Sequence, residues 1–164
     1  MNLYIMRHAI AADADQFTLD RQRPLSESGR EKLGRIARNF EKLDLKFDLI
    51  LVSPALRTRQ TAGVVADTLG IKPKNVVETE NLAYPADLEK LVDEINALGA
   101  LENILIVGHE PTLSQLIGML LAGDDSLNIE MKKAGMCKLS LNKLAYARCA
   151  TLEWLMTPSQ LAAL

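Results

Sequence analysis

Short apolar runs alternate with amphipathic segments along this chain. Six runs predict β-strands, at residues 3–6, 47–52, 76–77, 103–107, 136–141 and 150–156. Apolar residues at helical spacing between them predict four helices, one beginning at Ser26 and the others over residues 54–69, 88–98 and 111–121. The two kinds of element therefore alternate over most of the sequence.

Buried strands separated by helices are typical of a mainly parallel sheet with helices on both faces. No helix is predicted between the last two strands, so we expect one of them to pair antiparallel at an edge of the sheet. A length of 164 residues favours one domain over residues 1–164. The predicted fold class is α/β, a three-layer α/β/α sandwich with a mainly parallel central sheet.

Composition argues against several classes of function. A net charge of −2 gives no basis for a nucleic-acid surface, which needs a concentrated basic face. Two cysteines are too few for a disulfide scaffold, and no residues have the spacing of metal ligands. Arg7 interrupts the apolar start before it is long enough for a signal peptide, and no stretch approaches the roughly 20 apolar residues of a membrane span. We expect a cytoplasmic protein without nucleic-acid or membrane partners.

Cationic and imidazole side chains follow three of the predicted strands. Arg7 and His8 follow the first strand, Ser53 the second, and His109 the most apolar one. Because ligands of open α/β sheets bind at the carboxyl ends of the strands, we expect these side chains to meet at one rim. Arg57 lies in the first turn of the next helix, where the macrodipole disfavours a cation unless an anion binds there. The pattern predicts a phosphate site.

Of the nucleophiles that phosphoryl-transfer enzymes commonly use, the sequence favours a histidine. Neither cysteine is followed after five residues by the arginine that a cysteine phosphatase requires, and no aspartate comes directly after a strand. No GxxxxGK[ST] or GxGxxG motif is present to bind a nucleotide. A neutral imidazole is a competent nucleophile near pH 7 when its other nitrogen is held by a hydrogen bond. His8 fits this requirement.

The chain resembles the histidine phosphatase superfamily, whose fold is phosphoglycerate mutase-like. The resemblance rests on Arg7-His8, Arg23-Pro24-Leu25-Ser26-x-x-Gly29, Ser53-Pro54-x-x-Arg57-x-x-Gln60-Thr61 and Gly108-His109. Within the superfamily, the short length and the late Trp154-x-Met156-x-Pro158 are similar to the SixA-type phosphohistidine phosphatases. The similarity runs along the whole chain.

The resemblance implies roles for particular residues. His8 is expected to attack phosphorus and to become transiently phosphorylated. Arg7, Arg57 and His109 are expected to hold the phosphoryl oxygens, where such donors stabilise the charge that develops. These donors would supply the positive charge that a metal gives other phosphoryl-transfer enzymes, so no metal or other cofactor is expected.

Three further residues are weaker candidates. Asp20 and Arg23 precede the first helix and are expected to bind substrate at the pocket rim; the alternative is an ion pair that only pins this segment. Glu80 is a candidate general acid, although it matches no motif and the SixA type is known for lacking a conventional acid. Imidazole leaving from phosphohistidine needs less help from an acid than an alkoxide does, so a missing acid fits a phosphohistidine substrate.

Three functions follow from these expectations. The first is a phosphatase acting on protein phosphohistidine, such as the histidine phosphotransfer domain or sensor kinase of a two-component relay, with the enzyme itself a monomer. The second is a small-molecule phosphomonoesterase of the same superfamily, with Glu80 as acid. The third is a phosphate-binding module without catalysis, which the presence of His8 beside its phosphate-binding partners disfavours.

Overall fold

The computed structural model describes all residues from 1 to 164. Its strands are β1 (Asn2–Arg7), β2 (Leu49–Val52), β3 (Val76–Glu78), β4 (Asn103–Gly108), β5 (Met136–Leu141) and β6 (Ala150–Met156). Its helices are α1 (Glu27–Asn39), α2 (Leu56–Leu69), α3 (Leu88–Ala97), α4 (Thr112–Ala122) and α5 (Pro158–Ala163). Every predicted strand and helix is present, and α5 is the one α-helix that the apolar pattern did not indicate.

The six strands form one sheet in the order β3-β2-β4-β1-β5-β6. Neighbours among β1 to β4 are parallel, whereas β5 is antiparallel to both β1 and β6. The prediction of an antiparallel strand at an edge is confirmed by β6. β5, which runs antiparallel to β1, lies one position inside the edge. The chain then turns back through the β5–β6 connection and forms β6 at the edge itself.

Alternate strand residues bury against different helices, which creates the three layers. Leu3 and Ile5 belong to one apolar cluster of 20 buried residues that includes side chains of α3 and α4. Tyr4 and Met6 belong to a second cluster of 20, with side chains of α1, α2 and α5. Burying one such side chain contributes roughly 1.5–3 kcal/mol, so both faces of the central strands drive folding. None of the helices is long and apolar enough to cross a bilayer.

Residues 9–24, here called the 9–24 segment, join β1 to α1 as an ordered strap across the carboxyl end of the sheet. The segment contains two short 3-10 helices, Ala14–Gln16 and Asp20–Gln22. Its two ends are tied together by main-chain bonds from Ala12 N to Pro24 O at 2.9 Å and from Ser26 N to Ile10 O at 2.9 Å. Its position is therefore set by backbone pairing as well as by side chains.

The first turn of α1 packs against this segment through a glycine. Ser26 caps the helix by accepting a hydrogen bond from Gly29 N at 3.0 Å, as the sequence predicts. A Cβ atom at Gly29 would lie 2.3 Å from the main-chain oxygen of Ile10. Gly29 is needed because the two backbones approach too closely for any side chain.

Replacing Gly29 by Ala should lower the free energy of unfolding by about 2 kcal/mol, since backbone must move to admit the methyl group. Gly34→Ala is the matched control in the same helix, where the nearest atom to an added Cβ is the flexible end of Arg38 at 3.7 Å. The control should stabilise the protein by about 0.5–1 kcal/mol through helix propensity. Urea unfolding measures both changes; equal effects of the two substitutions would contradict the close approach.

Candidate active site

The three strand ends that carry the candidate residues are neighbours in the sheet, since β4 lies between β2 and β1. Main-chain hydrogen bonds continue one residue past the strands, from His8 N to Gly108 O and from Ser53 N to Val107 O, both at 3.1 Å. These bonds fix the backbone directly beneath the candidate side chains. The predicted meeting of the strand ends at one rim is therefore observed.

His8 is held in one tautomer. The residue is only 6% exposed, and its Nδ1 lies 2.7 Å from the carbonyl oxygen of Ala9. A carbonyl can only accept, so Nδ1 carries the proton and Nε2 keeps its lone pair. Arg57 Nε donates to that lone pair at 3.3 Å. The main-chain N–H of Ala9 in turn donates to Thr61 Oγ1 at 3.1 Å.

Both histidines are neutral at pH 7 in the free protein. The pKa of His8 is lowered to about 3, mainly by burial; the hydrogen bond to Ala9 opposes this shift, and His109, Arg57 and Arg7 add to it. Burial also lowers the pKa of His109 to about 4, with smaller effects from Arg57, which lowers it, and from Asp20, which raises it. Desolvation is thus a larger cause of the low pKa of His8 than the charges of the two arginines.

Arg7 and His109 each keep an unused polar atom. Arg7 donates from Nη1 to Met131 O at 2.7 Å, but its buried Nε has no partner. His109 Nε2 lies 3.0 Å from Ser53 Oγ, while the buried Nδ1 has none. The rings of His8 and His109 lie 5.1 Å apart between centroids. Unsatisfied buried groups are rare in native proteins, and they are concentrated here beside His8.

Arg57 is connected to the 9–24 segment. Its terminal nitrogens donate to the carbonyl oxygen of Asp20 at 2.7 Å and to Asp20 Oδ2 at 2.8 Å. Arg23 donates to Asp20 Oδ1 at 2.8 Å and to Ala12 O at 2.8 and 3.0 Å. These arginines, with Arg23 the larger cause, hold the pKa of Asp20 below its usual value. Asp20 and Arg23 thus both pin the segment; Asp20 also lines the neighbouring cleft, whereas Arg23 does not.

An open cleft of about 770 Å³ lies beside these residues. Asp20, Arg57 and His109 line one part of it, and Glu80 and Tyr84 line another. The side chain of Glu80 makes no hydrogen bond or ion pair, and the ring of Tyr84 stands free in solvent with the residue 81% exposed. Glu78, the last residue of β3, is not part of the cleft lining and pairs at 3.4 Å with Arg59, which does line the cleft.

The sequence analysis did not identify Glu110 as a residue of the cleft. Glu110 follows His109 directly and lines the cleft; Ser114 donates to its Oε2 at 2.6 Å, and its buried Oε1 has no partner. The available signal was an acid two residues beyond the end of β4. Nowhere in the chain do three or more His, Cys, Asp or Glu side chains come together as a metal-binding group.

The structure explains two further residues of the motif, Gln60 and Thr61. Gln60 accepts a hydrogen bond from Leu25 N at 2.7 Å, which attaches α2 to the residue that follows the 9–24 segment. Thr61 holds Ala9 and donates to the carbonyl oxygen of Arg57 at 2.7 Å. The spacing of Arg57, Gln60 and Thr61 therefore places three side chains of one helix on three parts of the same site.

Comparison with known proteins agrees with this geometry. The sequence pattern of the histidine phosphatase superfamily (branch 1) matches residues 3–83. An uncharacterized protein of Picosynechococcus sp. is 33% identical over 142 residues, which cover 85% of this chain and 84% of the relative. Phosphohistidine phosphatase SixA of Escherichia coli K12 is 29% identical over 127 residues, 76% of each chain.

Similarity in three dimensions extends over nearly the whole chain. The structure of the protein histidine phosphatase SixA complexed with tungstate superimposes with a TM-score of 0.84 at 26% identity, covering 98% of this chain and 99% of that one. The predicted phosphoglycerate mutase-like sandwich is thereby confirmed. This chain belongs to the histidine phosphatase superfamily (branch 1), resembles its SixA-type members in sequence and fold, and is a phosphatase.

Proposed function

We propose that this chain removes phosphate from phosphohistidine on another protein, with His8 as the nucleophile. The observation that supports the proposal most directly is the fixed tautomer of His8. Its Nδ1 proton is committed to Ala9, so the lone pair of Nε2 is available beside the guanidinium of Arg57. A buried neutral imidazole is ready to attack without first losing a proton.

In the first step His8 Nε2 forms a bond to phosphorus as the bond from phosphorus to the substrate imidazole breaks. The bonding electrons pass to the substrate nitrogen. When the other nitrogen of that ring carries a proton, the ring leaves as neutral imidazole and needs no proton from the enzyme. Arg57 and the unused buried atoms of Arg7 and His109 would then bind the phosphoryl oxygens.

In the second step water attacks the phosphoryl group on His8. The phosphorus–nitrogen bond breaks, His8 Nε2 regains its lone pair, and the product is dihydrogen phosphate, which ionises in solvent. The hydrogen bond from Nδ1 to Ala9 O persists throughout, so the phosphorylated ring carries a positive charge. A cationic ring is a better leaving group than a neutral one, which favours hydrolysis of the intermediate.

Similarity and shape together support a phosphohistidine substrate. Among the similar proteins at 25% identity or more, those that carry a function in their names are phosphohistidine phosphatases. The cleft is open, since no inserted domain covers it and its rim consists of the 9–24 segment and the region of Tyr84. An open cleft suits a histidine displayed on a protein surface, such as a histidine phosphotransfer domain or sensor kinase of a two-component relay, met by a monomeric cytoplasmic enzyme.

The alternative substrate is a small phosphomonoester. The observation that favours it is Glu80, an unpaired acid on the same cleft as His109. An alkoxide leaving group needs a proton, and Glu80 would supply it. Glu110 offers a second carboxyl group on the same lining.

The two histidine rings should stay neutral to unusually low pH. The protein contains only His8 and His109, so NMR can follow both imidazoles without ambiguity. Neither ring should titrate between pH 8 and about 5.5, because burial lowers the two pKa values to about 3 and about 4. The nitrogen shifts should also report a proton on Nδ1 of His8. Titration of His8 near the ordinary value of ~6.5 would contradict the buried, neutral nucleophile.

The same shifts affect stability in a defined direction. The unfolded chain binds protons at its histidines as pH falls below ~6.5, whereas the folded chain does not until about pH 4 or lower. Each histidine should therefore lower the free energy of unfolding by up to ~1.4 kcal/mol per pH unit in that range. Urea unfolding at pH 7 and pH 5 measures the loss, and His8→Asn should reduce it.

A substrate panel with a His8 variant tests the proposed reaction. Phosphohistidine on a phosphotransfer domain should be hydrolysed efficiently, in EDTA as well as without it, and sugar phosphates poorly. His8→Ala should reduce the rate at least 10³-fold and abolish labelling of the enzyme by ³²P, because the nucleophile is lost. Full activity of His8→Ala, or restoration of an EDTA-treated enzyme by Mg²⁺ or Zn²⁺, would overturn the mechanism. Phosphate binding without any release would favour a non-catalytic module.

Substitution of the cleft acids separates the two substrate classes. Glu80→Gln should change phosphohistidine turnover less than threefold, because neutral imidazole leaves unaided. Glu78→Gln is the matched control, a nearby acid that is not part of the cleft lining and is already paired with Arg59. Glu110→Gln should resemble the control. Efficient turnover of sugar phosphates that Glu80→Gln abolishes, with Glu78→Gln unaffected, would establish the phosphomonoesterase instead.

A further inference from the structure

Arg57 uses two edges of its planar guanidinium for different partners. The edge formed by its two terminal nitrogens meets Asp20, through the main-chain oxygen at 2.7 Å and Oδ2 at 2.8 Å. The Nε–H points the other way, to His8 Nε2 at 3.3 Å. Because the group is rigid and planar, a second N–H parallel to Nε–H remains free on the edge that faces His8. That edge matches two oxygens of a phosphoryl group.

We propose that Asp20 is the positioning residue for Arg57, holding the outer edge of the guanidinium so that the inner edge stays directed at the phosphorus on His8. Asp20 does not touch the phosphoryl group in this arrangement. The inference rests on the proposed role of His8, and it replaces substrate contact by Asp20 with an action through Arg57.

Asp20 is itself braced. Arg23 Nη1 holds Asp20 Oδ1 at 2.8 Å, leaving Oδ2 to Arg57. Arg23 is fixed by two further donations to the carbonyl of Ala12, in the part of the segment that pairs with Pro24. A continuous series of hydrogen bonds thus runs from the backbone of Ala12 through Arg23, Asp20 and Arg57 to His8. The series contains two guanidiniums and one carboxylate, so it keeps one net positive charge beside His8.

Asp20 supplies the one carboxylate that pairs with the Arg57 guanidinium. The Arg57 side chain is 11% exposed, and its two neighbours in the site are neutral imidazoles that cannot hold it as anions would. Without Asp20 the nearby cation of Arg7 would favour rotation of the guanidinium towards solvent. Asp20 supplies the missing anion from the side opposite His8, where it leaves room for phosphate. An orientational role of this kind affects the transition state more than the ground state.

The test compares binding of vanadate, which adopts the five-coordinate geometry of the transition state, with binding of inorganic phosphate. Calorimetry on the whole protein measures both dissociation constants, so the test does not depend on knowing the substrate. Asp20→Ala should weaken vanadate binding about tenfold and phosphate binding less than threefold. Asp20→Asn keeps an oxygen acceptor and should recover most of the affinity. Asp15→Ala is the matched control, an exposed acid of the same segment without an ion pair, and should change neither constant.

A double substitution separates positioning from simple loss of structure. Arg57→Lys keeps the positive charge but has no planar edge to orient, so Asp20→Ala should alter its vanadate affinity less than twofold. Equal losses from Asp20→Ala in both backgrounds would mean that the substitution only loosens the segment, and would overturn the proposal. Tighter vanadate binding by Asp20→Ala would also overturn it, by showing that Asp20 competes with the anion. Inactivity towards phosphohistidine with the double-substitution pattern intact would count against the proposed substrate alone.

Discussion

The hydrogen bond between His8 Nδ1 and the carbonyl of Ala9 decides which ring nitrogen can react, and much of the site depends on it. Ala9 can serve only if its own peptide is fixed, and Thr61 fixes it from α2. The same threonine bonds the carbonyl of Arg57 one turn earlier in that helix. One side chain therefore sets the position of His8, the proposed nucleophile, relative to the guanidinium of Arg57, which explains why the spacing between Arg57 and Thr61 matters.

Burial, more than pairing with charged groups, determines the protonation of the two histidines in the site. Two imidazoles lie in a poorly solvated place beside Arg7 and Arg57, and desolvation keeps both rings neutral. The guanidinium of Arg7 donates to the backbone oxygen of Met131, and that of Arg57 donates to the carboxylate of Asp20. The unbound site thus combines permanent cations with neutral bases. Such a combination attracts a phosphoryl group without making the attacking nitrogen compete for a proton.

The sequence predicted the elements well because the strands are apolar on both sides and the helices have clear apolar stripes. It also located His8, Arg57 and His109, since side chains at the ends of parallel strands must share a rim. It could not predict the contact between Asp20 and Arg57, which are 37 positions apart and meet only through the conformation of an irregular segment. Glu110 and α5 did leave local signals: an acid after a strand end, and Thr157 with Gln160 in a capping box around Pro158.

The strand order has a consequence for how the enzyme forms. β1 and β2 do not pair with each other; β4 lies between them and bonds to both. Residues 1–100 alone therefore lack the strand that would bring His8 and Arg57 together. During synthesis His8, the proposed nucleophile, cannot be held beside Arg57 until residues 103–108 have left the ribosome and paired with both strands. Pairing of a central parallel strand with two strands made earlier joins residues far apart in the sequence, and contacts of this kind form slowly.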